Sequence, residues 1–199
     1  MKNRIITISR EFGSGGREIG ERLAERLGVP CYDKLLIKKT AAESGLSEDF
    51  IRQEEETPAQ SRWFLSGNAF ADSAALSEAF YSGSQMIYDA EQKVIRQLAE
   101  KGPCVIVGRC ADYILRNEAD CLTAYIHDDM EKPGQRIVEI YGEREKSSEK
   151  RLRDKDKRRA AYYQMYTDMT WGDARHYHVA LDSGVLGIET CVSILAGLY

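Results

Sequence analysis

The chain opens on a run of strand length, Ile5-Ile6-Thr7-Ile8-Ser9, apolar or β-branched at nearly every position. A run with so little polar alternation predicts a strand buried on both faces, as in the middle of a parallel sheet. The period then changes: Ile19, Leu23 and Leu27 recur every four residues with charges between them, which predicts a helix from Gly16 to Gly28. Gly28 suits a left-handed C-cap, and Pro30 prevents continuation. "PCYDKLLIKKTAAESG" predicts a short strand and a helix ending near Gly45, and Ser47 caps a further helix that stops at Pro58. Ile87, Val94 and Leu98 share one face of a helix expected from Gln85 to Lys101, with Gly102-Pro103 as its stop. "CVIVG" and "LTAYIH" read as two more buried strands, "HVALDSG" as a last short one, and "GIETCVSILAGL" as a closing amphipathic helix. Strands alternating with helices predict an α/β fold whose parallel sheet is covered on both faces.

Two stretches depart from this rhythm. From Ala59 to Gly83 the periodicity is poor, small residues dominate, and Trp63, Phe64, Phe70, Phe80 and Tyr81 are interspersed, so a mobile or substrate-covering insertion is expected there. From Lys132 to Asp168 the chain is helical in pattern and densely charged. Within it, Arg144 to Arg159 carries nine basic and four acidic residues in sixteen positions. Ion pairs along a solvated helix face account for Glu145, Lys146, Glu149 and Lys150. The one-sided set Lys155, Lys157, Arg158 and Arg159 favours a cationic segment that closes over phosphates.

Composition narrows the class. The 199 residues fit one domain, 43% apolar and 30% charged, as in ordinary globular proteins. A net charge of −4 argues against general nucleic-acid binding. The five cysteines are odd in number and form no CxxC pair, which predicts reduced, buried thiols in a cytoplasm. The N-terminus turns polar too early for a signal peptide, and no apolar run reaches the roughly 18 residues of a membrane span. A cytoplasmic protein without a membrane anchor is expected, as a monomer or a homodimer.

The candidate chemistry lies in "ITISREFGSGGREIG", where a strand, a glycine turn and a helix follow one another. Such a turn aims backbone N–H groups at one spot, and the helix N-terminus adds partial positive charge, which suits phosphate. The standard phosphate loop reads G-x-x-x-x-G-K-[ST]. Here Arg10 stands at the first glycine, Gly15 at the last, Gly16 at the lysine, and Arg17 or Glu18 at the hydroxyl. A structural turn and a phosphate loop with rewired charge are both open on these residues alone. Arg17, or Arg10 upstream, is the candidate for the missing cation.

Taken in order, "ITISREFGSGGREIG", "YDKLLI", "VIVGRCADYIL", "KDKRRAAYY" and "LDSGVLGIE" resemble the cytidylate kinase-like family of P-loop kinases, from Ile5 to about Leu195. The resemblance implies a three-layer α/β/α P-loop kinase fold in a single domain, 1–199, with an acceptor-binding insertion at 46–84 and a lid at 144–168. It implies ATP and Mg²⁺ as cofactors and a nucleotide and a small phosphorylated acceptor as partners. It puts Gly13, Ser14, Gly15, Gly16 and Arg17 on the phosphate loop, and Asp33 at the start of the acceptor region. Arg109 and Asp112 fall near the family's "GRD", the aspartate displaced by two residues, where the arginine holds the acceptor phosphate. Lys155, Arg158 and Arg159 fall in the lid around the transferring phosphoryl group, and Ser183 and Gly184 beside the donor base.

Each assignment has a plainer rival. Arg109, leaving a buried strand, calls for an anion, which a structural salt bridge supplies as well as a phosphate does. Ser183 and Gly184 serve equally as a connector. Tyr162, Tyr163 and Tyr166 read as packing, Trp171 as an anchor, and His127 as a satisfied histidine at a strand end. His176 and His178 alternate as on a strand, but without companion ligands zinc is not expected. Ser14 and Ser9 are the candidates to help hold Mg²⁺. The expected function is transfer of the ATP γ-phosphoryl group to an acceptor such as CMP. The alternatives are a non-catalytic nucleotide-binding module with a degenerate loop and a same-fold kinase for a non-nucleotide acceptor.

Overall fold

The structure, a computed structural model, describes residues 4–51, 73–128 and 145–199. Five parallel strands form one sheet: β1 (Ile5–Arg10), β2 (Cys31–Tyr32), β3 (Cys104–Val107), β4 (Cys121–His127) and β5 (Val179–Asp182). Their spatial order is β2-β3-β1-β4-β5, so β1 lies at the centre with β3 and β4 beside it. Ile5 stands opposite both Cys104 and Cys121, which aligns the three central strands.

Helices among the described residues include α1 (Gly16–Leu27), α2 (Lys34–Ser44), α3 (Ser73–Lys101), α4 (Ala111–Ile114), α5 (Glu145–Thr167), α6 (Ser183–Leu186) and α7 (Ile188–Leu198). They cover the sheet on both faces, which is why its strands are apolar throughout. Ile6, Ile8, Val105, Val107, Leu122, Ala124 and Ile126 pack with Ile19 and Leu23 of α1 and Cys191, Val192 and Leu195 of α7. Ile5, Cys104, Ile106 and Cys121 pack on the other face with Val94, Ile95 and Leu98 of α3 and Ile114 of α4. Alternation along β1 therefore divides its residues between two cores. Gly20 brings α1 close to the sheet, since a Cβ there would lie 2.7 Å from Val107 Cγ2. Burial pushes the Cys104 thiol up to about 11 and that of Cys31 to about 12, so neither is a ready nucleophile.

The helix expected from Gln85 begins at Ser73 instead, so the end of the segment expected to be irregular is helical. Its Ala74, Ala75, Leu76 and Ala79 are strong helix formers whose propensity outweighs the absent stripe. Gly83 lies in this helix against Phe50, with 3.3 Å from a would-be Cβ to Phe50 Cζ. Ser47 caps as expected, its Oγ accepting the Phe50 N–H at 3.2 Å. Most of the expected insertion, with Trp63, Phe64 and Phe70, lies outside the described residues, as do 132–144 of the charged zone.

His176 and His178 do not share a strand. Ala174–His176 is a 3₁₀ turn capped by Asp173, and β5 begins only at Val179. His178 Nδ1 accepts the Thr123 N–H at 3.0 Å. Among the described residues no group of three or more His, Cys, Asp or Glu is placed to hold a metal. Among them, too, no helix is long and apolar enough to cross a membrane.

Candidate functional site

The glycine turn lies at the carboxyl edge of the sheet, beyond central β1, where open parallel sheets bind ligands. Gly13 and Gly15 have φ of 92° and 72°, a region that favours glycine and lets the chain turn into α1. The first N–H groups of α1 have no carbonyl four residues back within the helix, so they face the turn as anion donors. Ser14 is fully buried; its hydroxyl donates to the Glu11 carbonyl at 2.9 Å and accepts the Gly16 N–H at 3.3 Å. It therefore shapes the turn from within. Ser9, the other candidate for Mg²⁺, donates to Asp112 at 3.1 Å and is also buried. Neither hydroxyl fits a loop-held metal.

Distant elements brace the turn. Asp156 of α5 accepts the Phe12 N–H at 2.7 Å, and Arg159 donates to the Arg10 carbonyl at 3.0 Å. Lys155 Nζ lies 4.2 Å from the Phe12 ring centroid, a cation–π contact. Burial raises Asp156 to about 6, against the lowering effects of the Phe12 N–H and the Arg159 charge. Ser183 is buried, its hydroxyl between the carbonyls of Ser14 at 2.6 Å and His127 at 3.0 Å. Ser183 and Gly184 start α6, with Asp182 capping the Val185 N–H. Glu11 completes the bracing by accepting from the Asp128 N–H at 3.1 Å and the Tyr125 hydroxyl at 3.3 Å.

Beside the turn is a small, partly open cleft. Its cationic lining is Arg10, Arg109 and Arg159, and its aromatic wall is Tyr162, Tyr163 and Trp171. Arg109 follows β3 in a run of left-handed residues, Gly108 at φ 79°, Arg109 at 59° and Cys110 at 53°. Such backbone is uncommon outside glycine and tends to accompany functional sites. The Arg109 guanidinium meets Glu91 of α3 at 2.5 Å, both side chains almost wholly buried. Tyr162 donates to the other Glu91 oxygen at 2.8 Å. The salt bridge kept open for Arg109 is thus present, and the arginine still reaches the cleft wall.

Several expected site residues lie elsewhere. Asp112 is turned into the core, its carboxylate accepting from Ser9 and from Tyr163 at 2.6 Å, and burial raises its pKa. Its carboxylate is therefore engaged beneath the cleft and does not line it. Arg17 also leaves the turn: its Nε lies 3.0 Å from Asp33 and 3.2 Å from Glu21, along the flank of α1. Asp33 sits between two cations, with Arg10 Nη2 at 3.8 Å from its other oxygen. Of the cations expected in a lid, Arg159 lines the cleft, Lys155 lies over the Phe12 ring and Arg158 is half-buried.

Glu91 and Asp156 escaped the reading of the sequence. Glu91 left a trace, a charge set within the apolar stripe of Ile87, Val94 and Leu98. Asp156 left none, being one acid in a charged run.

Residues 5–185 match the cytidylate kinase-like family. Among solved structures, an uncharacterized protein from Eubacterium ventriosum is 28% identical, with a TM-score of 0.70 over 97% of this chain and 96% of that one. Shikimate kinase from Bacteroides thetaiotaomicron is 15% identical, with a TM-score of 0.55 over 98% of this chain and 97% of that one. A gluconokinase from Sinorhizobium meliloti is 16% identical, with a TM-score of 0.51 over 100% of this chain and 95% of that one. The likeness to these two kinases is one of fold, that of P-loop kinases. No functionally curated protein matches the chain.

Proposed function

Since this chain belongs to the cytidylate kinase-like family, we propose that it moves the γ-phosphoryl group of ATP onto a small phosphorylated acceptor, with CMP the first candidate. The observation that carries the proposal is the cleft lined by Arg10, Arg109 and Arg159 beside the glycine turn. Phosphoryl transfer is mostly positioning and charge neutralisation, so converging cations beside backbone donors are the machinery it requires. An acceptor oxygen forms the new bond to the γ-phosphorus as the bond to the β–γ bridging oxygen breaks, and ADP leaves. In this reading the turn amides hold the donor phosphates, Arg109 meets the acceptor anion, and Arg159 neutralises charge between the two. Mg²⁺ on the donor phosphates would add positive charge there, but the Ser9 and Ser14 hydroxyls are engaged internally and do not fit as its ligands. A cytoplasmic enzyme is expected.

The test is an ADP-release assay with ATP and Mg²⁺ against CMP, dCMP, UMP, AMP and small phosphorylated metabolites. Acceptor-dependent turnover that Arg159→Ala lowers by about a hundredfold or more supports the proposal. Turnover only with a non-nucleotide acceptor would keep the kinase and replace CMP. A second reading, a nucleotide-binding module without transfer, is favoured by the internally engaged Ser9 and Ser14 hydroxyls. ATP binding without turnover on any acceptor would decide for it.

A further inference from the structure

We propose that Arg10, rather than Arg17, is the cation that meets the outer phosphates of the bound nucleotide, and that it fills the space of the absent phosphate-loop lysine. The inference rests on the nucleotide-binding reading above. The alternation that sends Ile6 and Ile8 toward α1 sends Arg10 there too. A Cβ at Gly16 would lie 2.4 Å from Arg10 Cβ and 3.0 Å from Arg10 Cγ. Side chains at positions 10 and 16 would therefore leave the backbone through one space, and only one of them fits. In the standard loop, position 10 is glycine and position 16 is lysine; here the pair is exchanged, arginine at 10 and glycine at 16. The exchange is reciprocal: the cation has moved from the helix to the strand end while keeping its point of departure.

A second glycine accommodates the same side chain. At Gly108 a Cβ would lie 2.0 Å from Arg10 Nη1 and 3.1 Å from its Cζ. The guanidinium therefore lies across the carboxyl end of β3, on the wall of the cleft it shares with Arg109 and Arg159. Asp33 lies 3.8 Å from its Nη2 and 3.0 Å from Arg17 Nε. Arg17 spends its charge on Asp33 and Glu21 with its side chain 42% exposed, against 13% for Arg10. A guanidinium also presents a planar fork of donors that matches phosphate oxygens two at a time, which an ammonium does not.

The experiment is calorimetric titration of ATP and of inorganic tripolyphosphate into the native chain and into Arg10→Ala, Arg10→Lys, Arg17→Ala and the double variant Arg10→Gly/Gly16→Lys. Arg10→Ala is expected to weaken both ligands by the same factor, about ten- to hundredfold, because the lost contact is to phosphate and not to the base. Arg10→Lys should keep part of the affinity, and Arg17→Ala should cost less than Arg10→Ala with both ligands. The double variant, which restores the standard arrangement, should bind ATP more tightly than Arg10→Ala. The inference is overturned if Arg10→Ala binds ATP as the native chain does, or if Arg17→Ala causes the larger loss. Thermal unfolding of each variant separates a binding defect from a folding one, and Arg10→Lys carries the comparison where the double variant is unstable. A native chain that binds neither ligand would overturn the nucleotide-binding reading itself; a native chain that binds both while Arg10→Ala is unchanged would overturn the assignment of Arg10 alone.

Discussion

Replacing Glu91 by glutamine removes one charge and almost no volume, which makes it the sharpest test of how the cleft is held. The carboxylate is 1% exposed, with one oxygen 2.5 Å from Arg109 Nη1 and the other accepting the Tyr162 hydroxyl at 2.8 Å. Glutamine still offers an oxygen to one of these partners, but the Arg109 charge, 5% exposed, loses the negative charge of its Glu91 partner. Breaking a buried pair by removing one partner costs about 3–5 kcal/mol, most of it the desolvation of the charge left behind. For a chain of this size each kcal/mol lowers Tm by about 2–4 °C, so Glu91→Gln should melt about 6–20 °C below the native chain. The pair as such adds little to stability, so Glu91→Leu/Arg109→Met should return to within about 2 kcal/mol of native, the remainder being the Tyr162 hydroxyl. Denaturant unfolding of native, single and double variants measures all three values, and ADP release on the double variant should stay low because the cleft has lost a cation. A Glu91→Gln cost below about 1 kcal/mol, or a double variant no better than the single, would refute the desolvation argument.

Three further outcomes are expected. Burial raises Asp156 to about 6 from an ordinary 3.8, so the fold favours its protonated form. That contribution is whole below pH 4 and is lost as pH rises through 6; urea unfolding should therefore find Asp156→Asn gaining on the native chain between pH 4 and pH 8, by up to about 3 kcal/mol. Gly16→Ala should cost about 1–3 kcal/mol, because its Cβ would also lie 3.3 Å from Ile126 Cβ, whereas Gly197→Ala, in helix α7 with nothing within 4 Å, should gain about 0.5–1 kcal/mol. Thermal melts compare the two. Ser183→Ala should cost about 1–2 kcal/mol and weaken tripolyphosphate binding in calorimetry, because the Ser14 carbonyl loses its donor and the turn its tie; unchanged binding would show that the tie does not position the turn.

Much of the fold was legible because its signals are local. β1 and α1 could be read from a change of period between Ser9 and Gly16, and Gly28 and Gly45 cap their helices in the left-handed region that glycine favours. The first turns of α3 were missed because helix propensity there carries no apolar stripe. The site was harder to read because its meaning lies in side-chain direction. Arg17 stands next to the turn in sequence yet points along α1 to Asp33, while Arg10, six residues before Gly16, occupies the space in front of it. Asp112 looked like a displaced ligand and is a buried acceptor for Tyr163, a partner no local pattern could announce.

The braces on the glycine turn have a consequence for how the chain assembles. Phe12 is tied to Asp156 across 144 positions, Arg10 to Arg159 across 149, and Ser14 to Ser183 across 169. Contacts of such long sequence separation close late, since the entropy of large loops must be spent before they return anything. On the ribosome, the turn is made well before α5 and α6 and waits for them before it has its final shape. Nucleotide affinity should therefore arise late and abruptly as the chain lengthens, and a nascent chain halted before Ser183 should carry the whole glycine turn without the grip that makes it a site.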